Sequence, residues 1–412
     1  MTRTAVWKFF AAVMAALMIV ALGAGVITPG PARAATINVP ADYATIQAAI
    51  NAAASGDTIQ VAAGTYNEQL LIQKSLTIIG AGKATTTIGS PATPHAGTVV
   101  QGANTWDYIV AAYPAAGTIS VRIEGFTING NGRNKTAGTF AIAGVFFRDV
   151  AGATSGLFNC AILGFPATPD YECFGIKIYG ASSLAVTSNT LTSYTRDAIG
   201  AGGGVGGNPA VTISNNTCTG SALPLNGISL LDGATGTISG NTITGHTRSA
   251  PWAAVGIIVD TASGIIISGN TVDTCFYGIG AWNCSGTVIT GNTLRYNVNR
   301  HIILSNSTNG TVSSNTITGT AGATEDVAIF LTNNSTGNLI GGTTSAAGNT
   351  ITLGKTGSWA APPLLYVIHL DNNMGAGSNT IRYNNITGGK RAIQVDTGNT
   401  GTTTISNNTI QG

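Results

Sequence analysis

The phrase TISGNTITG, at Thr237 to Gly245, returns along this chain with small changes. It reads ISNNTCTG at Ile213, ISGNTVDT at Ile267, ITGNTLRY at Ile289, VSSNTITG at Val312 and ISNNTIQG at Ile405. One Asn column marks the period: Asn189, Asn216, Asn241, Asn270, Asn292, Asn315, Asn349, Asn385 and Asn408. Its spacings are 22 to 29 residues, except for two of 34 and 36 that carry insertions. Self-similarity at such a period is the mark of a solenoid, in which each repeat buries its apolar face only against its neighbours.

A second phrase lies between the Asn phrases: FGIKIYG from Phe174, NGISLLDG from Asn226, VGIIVDTASG from Val255, VAIFLTNNSTG from Val327, VIHLDNNMGAG from Val367 and AIQVDTGNTG from Ala392. Each coil therefore holds at least two short strands of alternating β-branched residues, separated by Gly, Asn, Ser and Thr turns. A leucine-rich repeat needs a leucine-dominated strand and a helix or its equivalent per repeat. Here the core letters are Ile and Val, and no helical period intervenes. The expected fold is all-β: a right-handed parallel β-helix of about a dozen coils, each rung about 4.8 Å from the next. The column Asn turns inward at a corner, where its amide bonds to the Asn above and below and so escapes the cost of unpaired burial.

Charged residues make up only 8% of the chain and the net charge is +2, so there is no basic field for nucleic acid. Arg3 and Lys8, the apolar run from Phe9 to Ile27, and Pro31-Ala32-Arg33-Ala34 read as a signal peptide over 1–34, making the mature chain an exported single domain over 35–412. No other segment is long and apolar enough to cross a bilayer. Of the five cysteines, Cys160 and Cys173 flank a loop that a disulfide would close, and Cys218 holds an inward position filled elsewhere by Ile243, Val272 and Leu294. Gly200 to Gly207 reads as a Gly-rich loop, and GAGKAT at Gly80 lacks the spacing of a phosphate loop.

From Ala41 to Gly82 the chain reads as a short helix followed by strands. Asp42 is the expected N-cap, Ile46, Ala49, Ile50 and Ala53 form the apolar face, and Gly56-Asp57 ends the helix. Such a helix covers the open first rung within a cap and first-coil region spanning 35–90. The segment resembles the start of pectin methylesterases and of many exported proteins of the pectin-lyase-like superfamily. The repeat phrases resemble the β-helix repeats of that superfamily, including the accessory copper-site protein of nitrous oxide reductase. The resemblance implies the fold and brings no activity with it. The methylesterase phrases GxxDTL, DFIFG and LGRPW are missing, as are the NTD, DD and RIK set of polygalacturonases, the RxPxxR of pectate lyases and the YGxDPH of alginate epimerases. Four His and four Met, widely spread, form no copper-handling cluster.

Candidate chemistry gathers in the connection that follows each Asn phrase. That connection carries Asp170, Tyr171 and Glu172; Tyr194, Arg196 and Asp197; His246, Arg248 and Trp252; Arg295, Tyr296, Arg300 and His301; Glu325 and Asp326; Lys355 and Trp359; Lys390 and Arg391. Aromatic rings beside Arg and Asp suit sugars, so Arg248, Trp252, Arg300, His301, Trp359 and Gln394 are candidate saccharide contacts on loops hung from a rigid scaffold. In Ile368-His369-Leu370-Asp371 the aliphatics point in, which sends His369 and Asp371 outward. The next coil repeats the pattern with Gln394 and Asp396, stacking Asp396 on Asp371. Two carboxylates about one rung apart raise one pKa or invite a cation such as Ca2+. His369, Asp371 and Asp396 are thus the candidate catalytic set, and Asp371 with Asp396 the candidate metal pair. Asp260 occupies the same column without a His.

The expected function is binding, with cleavage or modification, of an extracellular polysaccharide. The alternatives are a non-enzymatic surface or adhesion rod and, from the outward Thr-x-Thr phrases, an ice-binding solenoid. The last coil has no polar cap in the sequence, which makes self-association through that edge a further expectation.

Overall fold

A computed structural model describes residues 33–92, 97–166, 172–319, 327–354, 366–371, 377–399 and 401–411. The body of the expected signal peptide, together with Asp170, Tyr171, Glu325, Asp326, Lys355 and Trp359, lies outside the described residues. Thr36 to Gly412 form one compact unit.

Three strands per turn stack into three sheets. The first sheet has 14 strands, from Thr36–Val39 to Thr403–Ser406. The second has 13, from Gly64–Asn67 to Thr409–Gln411, and the third has 13, running from Leu70–Ile72 to Arg391–Val395. The coil-to-coil pairings are parallel and in register, as at Cys218↔Ile243, Ile243↔Val272 and Val272↔Leu294. This register places like residues on like residues, so Ile, Val and Leu form continuous inward columns, with Ile176, Ile199, Ile228, Ile257, Ile279 and Ile302 fully buried. The one antiparallel pair among the described strands joins Val99–Gln101 to Asn104–Ala112.

The Asn column forms as the repeat implies. The side-chain oxygen of Asn270 accepts from the backbone N–H and the amide of Asn241, each at 2.9 Å, while the Asn270 amide donates to Asn292 and to the Ile238 carbonyl. Each buried amide thus saturates its neighbours, and leaving one such group unpaired costs about 1–3 kcal/mol. The ladder departs from expectation at one place. The Asn349 amide donates to Asn384 at 2.9 Å, and Asn384 donates on to Asn408. Asn385 is exposed and pairs with Thr350 in the outward strand column. Tyr-Asn-Asn-Ile offers two asparagines, and the ladder takes the one two residues before the inward Ile386. At the other end Cys160 occupies the Asn place, its N–H bonded to the Asn189 oxygen at 2.9 Å. A second, shorter ladder of Asn338 on Asn379 stands at another corner.

Helix α1 spans Ile46–Ala52 and buries Ile46, Ala49 and Ile50. Its N-cap is Thr45, whose hydroxyl accepts from the Ala48 N–H, and not Asp42, which is turned to the backbone and side chain of Asn38. The Glu68 carboxylate supplies the remaining acceptors, taking the N–H groups of Ile46 and Gln47 at 2.9 Å each. All five cysteines are buried and free, so the expected Cys160–Cys173 disulfide is absent. Cys218 is core, as its position implied.

The second sheet stacks Thr190, Thr217, Thr242, Thr271, Thr293, Thr316 and Thr350 in one outward column. An ion pair of Arg295 with Asp273, at 2.8 Å, interrupts the neighbouring column and breaks the flat hydroxyl plane that ice recognition would need.

Candidate functional site

The connections following the Asn phrases run from the second sheet to the third, and several of the described side chains placed there, Tyr194, Asp197, His246, Arg248 and His301, are buried. His246 is fully buried, its Nε2 2.7 Å from the Tyr194 hydroxyl. Burial drives the His246 pKa down to about 3, so its ring is neutral. Arg248 is buried and donates to the Ala250 carbonyl at 2.9 Å, which makes it a clamp on its own loop rather than a free saccharide contact. His301 is also fully buried and lies 3.2 Å from the Asn297 amide. At this corner His246, Cys275 and Asn297 stack on successive coils, all buried. Trp252 does remain exposed. Arg300 lies with its guanidinium 4.5 Å over the Phe330 ring.

The outward face of the third sheet is where chemistry collects. Register pairing aligns one column from Lys177 through Gly200, Ser229, Ile258, Gly280, Ile303, Phe330 and His369 to Gln394. At its far end the structure brings His369, Gln394 and Asp396 together. His369 Nε2 sits 3.1 Å from Asp396 Oδ2, and Gln394 donates to Asp396 Oδ1 at 2.9 Å. Tyr366 and Phe330 flank the imidazole, with ring centres at 4.5 and 5.2 Å. Asp371 follows Leu370 as Asp396 follows its register partner Val395, one coil away, and its Oδ2 accepts from Thr332 at 2.5 Å. The two carboxylates therefore bond in different directions. Among the described residues no group of three or more His, Cys, Asp or Glu side chains is placed to hold a metal. Asp260 accepts from Thr261 and Asn283, bonding its own turn as an Asp at a strand end does.

The near end of the column holds a cluster that sequence reasoning missed. Lys177 is only 5% exposed, and its Nζ lies over the rings of Tyr179 at 4.6 Å and Phe174 at 5.1 Å. Among the described residues it makes no hydrogen bond or ion pair within bonding distance. Burial pulls its pKa down to about 8, a shift that the Asp197 charge opposes. Asp197 is itself buried and fixed, accepting from Asn226 at 2.9 Å and from Ser229 at 2.7 Å. Gly200 makes room for this grouping. A Cβ there would stand 3.1 Å from Ser229 Oγ, 3.2 Å from Asp197 Oδ2 and 3.4 Å from Lys177 Nζ. Gly200 to Gly202 belong to the strand Asp197–Gly202, and the loop proper begins only at Gly203, which corrects the reading of Gly200 to Gly207 as one loop. The available signal was a lone Lys at an outward strand position, facing glycines one coil on.

Between the two ends the column holds Ser229, Ile258, Gly280, Ile303 and Phe330, and the outward column beside it holds Asp260, Trp282, Ser305 and Thr332. The Trp282 indole packs against Gly280, where a Cβ would come within 1.9 Å of the ring. A separate cavity of about 460 Å3, lined in part by Ser90, Arg133 and Lys135, lies off this face. Lys135 there pairs with Glu172 at 2.6 Å, while Arg133 approaches Asp107 at 3.6 Å and its buried Nη1 and Nη2 make no hydrogen bond among the described residues.

This architecture is a right-handed parallel β-helix. The family model described as "Right handed beta helix region" matches residues 174–351. No curated protein matches the chain in sequence. Among solved structures the chain is similar to the A-module of mannuronan C-5 epimerase AlgE6 of Azotobacter vinelandii, with a TM-score of 0.61 and 16% identity over 89% of this chain and 94% of that one. It is also similar to the AlgE4 A-module of the same organism, with a TM-score of 0.52 and 15% identity over 89% and 95%. A third is the DFA-IIIase of Arthrobacter chlorophenolicus A6, with a TM-score of 0.51 and 15% identity over 79% and 83%. At these identities the likeness is one of fold.

Proposed function

We propose that this chain is an exported β-helix protein that binds and modifies an extracellular polysaccharide on the outward face of its third sheet. The observation that carries the reading is the Lys177 cluster. A shielded amine with a pKa near neutrality, a fixed carboxylate and a tyrosine converge beside aromatic rings, on the face that also bears His369 and Asp396. An amine so poised accepts and returns protons near pH 8, while the aromatic floor stacks sugar rings. The carbohydrate-enzyme names of the similar folds support the same direction.

Export rests on the basic start, apolar run and Ala34 cleavage pattern of the first 34 residues. The mass of the secreted protein tests it: a chain beginning at Ala35 agrees, and one retaining Met1 does not.

For activity, mature 35–412 is incubated with a panel of uronic-acid and neutral polysaccharides, and product size and composition are followed by chromatography. Conversion that disappears in Lys177→Met establishes an enzyme and places its centre. Conversion that survives Lys177→Met but disappears in His369→Ala moves the centre to the far end of the face. Binding without conversion by any member of the panel leaves a carbohydrate-binding rod.

A further inference from the structure

The cavity of about 460 Å3 beside the first coils is lined by buried polar groups with nothing to bond. Two successive connections from the second sheet to the third build it. Ser90 follows the strand Thr86–Gly89, and Arg133 follows the strand Thr127–Asn129, which pairs with it one coil on. Ser90 is 3% exposed, and its hydroxyl has no hydrogen-bond partner among the described residues. The same holds for both terminal nitrogens of Arg133, whose side chain is 12% exposed. The backbone around them is satisfied: the N–H groups of Asn131, Gly132, Arg133, Lys135 and Thr136 all have acceptors. Lys135 Nζ donates to the Thr139 carbonyl at 2.9 Å as well as pairing with Glu172. The Asp107 carboxylate gives Oδ2 to the Thr136 N–H and to the Thr139 hydroxyl. Its Oδ1 stays 3.6 Å from Arg133 Nη2, beyond hydrogen-bond length.

We infer that this cavity binds a small organic carboxylate, at a site separate from the face of the third sheet and independent of the polysaccharide reading. Buried polar groups are paired almost throughout native structures, so three orphans lining one cavity mark the place of a missing acceptor. The end of a guanidinium offers two parallel N–H bonds at the spacing of two carboxylate oxygens, and that fork is what Arg133 leaves unused. The Ser90 hydroxyl adds a third bond from the neighbouring coil, so the ligand ties two connections together. Charge restricts the ligand to a monoanion. Asp107 and Glu172 already stand beside the two cations, and a phosphate or sulfate dianion would be repelled by both. Volume restricts it to a small molecule, because about 460 Å3 lies toward the lower end of ligand-pocket sizes. A hydroxy acid or a single sugar acid meets these terms.

The test is calorimetric titration of the purified protein at neutral pH and constant ionic strength. Acetate, lactate and glucuronate are the probes, and glucose, phosphate and sulfate are the controls. The expected result is saturable binding of at least one of the acids, with a Kd at least about tenfold below those of phosphate and sulfate, and no binding of glucose. Arg133→Lys keeps the charge but loses the fork, and should weaken the acid by about tenfold or more. Ser90→Ala should weaken it by about threefold. Lys177→Met, outside the lining, should leave it unchanged. Circular dichroism and a thermal melt confirm that each variant is folded, and Ser90→Ala, which removes a single oxygen, reads the site even where Arg133→Lys does not fold. Absence of saturable binding by all three acids below about 50 mM overturns the inference. Binding that ignores both substitutions, or that disappears in Lys177→Met, places the acid elsewhere and overturns it too. Equal affinity for sulfate shows an unselective anion patch and does the same. The polysaccharide reading stands or falls by its own panel, whichever of these results appears.

Discussion

Replacing Asn384 with Ala separates the ladder from its look-alike. The Asn384 side chain accepts from the Asn349 amide at 2.9 Å and donates to the Ile340 carbonyl at 3.0 Å and to Asn408 at 2.9 Å. Asn349 is fully buried, so truncation strands its amide hydrogen and the Ile340 carbonyl together. Two such orphans at about 1–3 kcal/mol each predict a loss of about 2–6 kcal/mol, or roughly 30- to 20,000-fold in the local opening equilibrium. Asn385→Ala, one residue on, removes an exposed side chain and should stay within about 0.5 kcal/mol. A solenoid opens coil by coil, so the readout is hydrogen exchange in peptides from the last two coils rather than a global melt. Faster exchange there in Asn384→Ala, with Asn385→Ala matching the wild type, is the expected pattern. Equal effects from the two variants, or a larger one at Asn385, would refute the account of the corner.

Lys177→Met should stabilise the fold at pH 7. The Lys177 pKa falls from 10.5 to about 8 on burial, so the folded state carries a penalty for the ammonium at and below pH 8. That penalty is about 3 kcal/mol at its fullest. Wild-type stability should therefore rise as pH climbs from about 8 to 10.5, and denaturant melts of Lys177→Met should lack the rise. The His246 pKa falls from 6.5 to about 3, so its contribution is fully present above pH 6.5 and is lost as pH drops toward 3. His246→Gln should flatten that part of the acid melt, whatever it costs at neutral pH. The five free thiols should react with a thiol reagent only after unfolding, and reduction should leave the mass unchanged. A mass gain of two hydrogens on reduction would show a disulfide.

The architecture was legible because a parallel β-helix writes its register into the sequence. Ile, Val and Asn recur at the coil period, and stacking like on like is what the fold requires. The N-cap was misplaced because Asp42 and Thr45 are both good cap residues, and only Glu68, arriving from the following strands, decides which turn closes. The candidate site was harder to read. His369, Gln394 and Asp396 share a neighbourhood because strand alternation and register alone bring them there. Whether a residue of these connections turns in or out follows from contacts between coils, which the repeat phrases do not spell out. His246, Arg248 and His301 therefore read as loop residues and proved buried. Lys177 was passed over because its meaning lies one coil away, in two glycines that make room for it.

The central claim is that the third sheet presents the working face. Footprinting by hydroxyl radicals on the saccharide-saturated protein tests it directly. The account predicts protection at Tyr179, Trp282 and Tyr366, on three strands of the third sheet, with Tyr43 and Tyr296 unchanged. Protection confined to the threonine face of the second sheet, or to the 460 Å3 corner cavity, would contradict it.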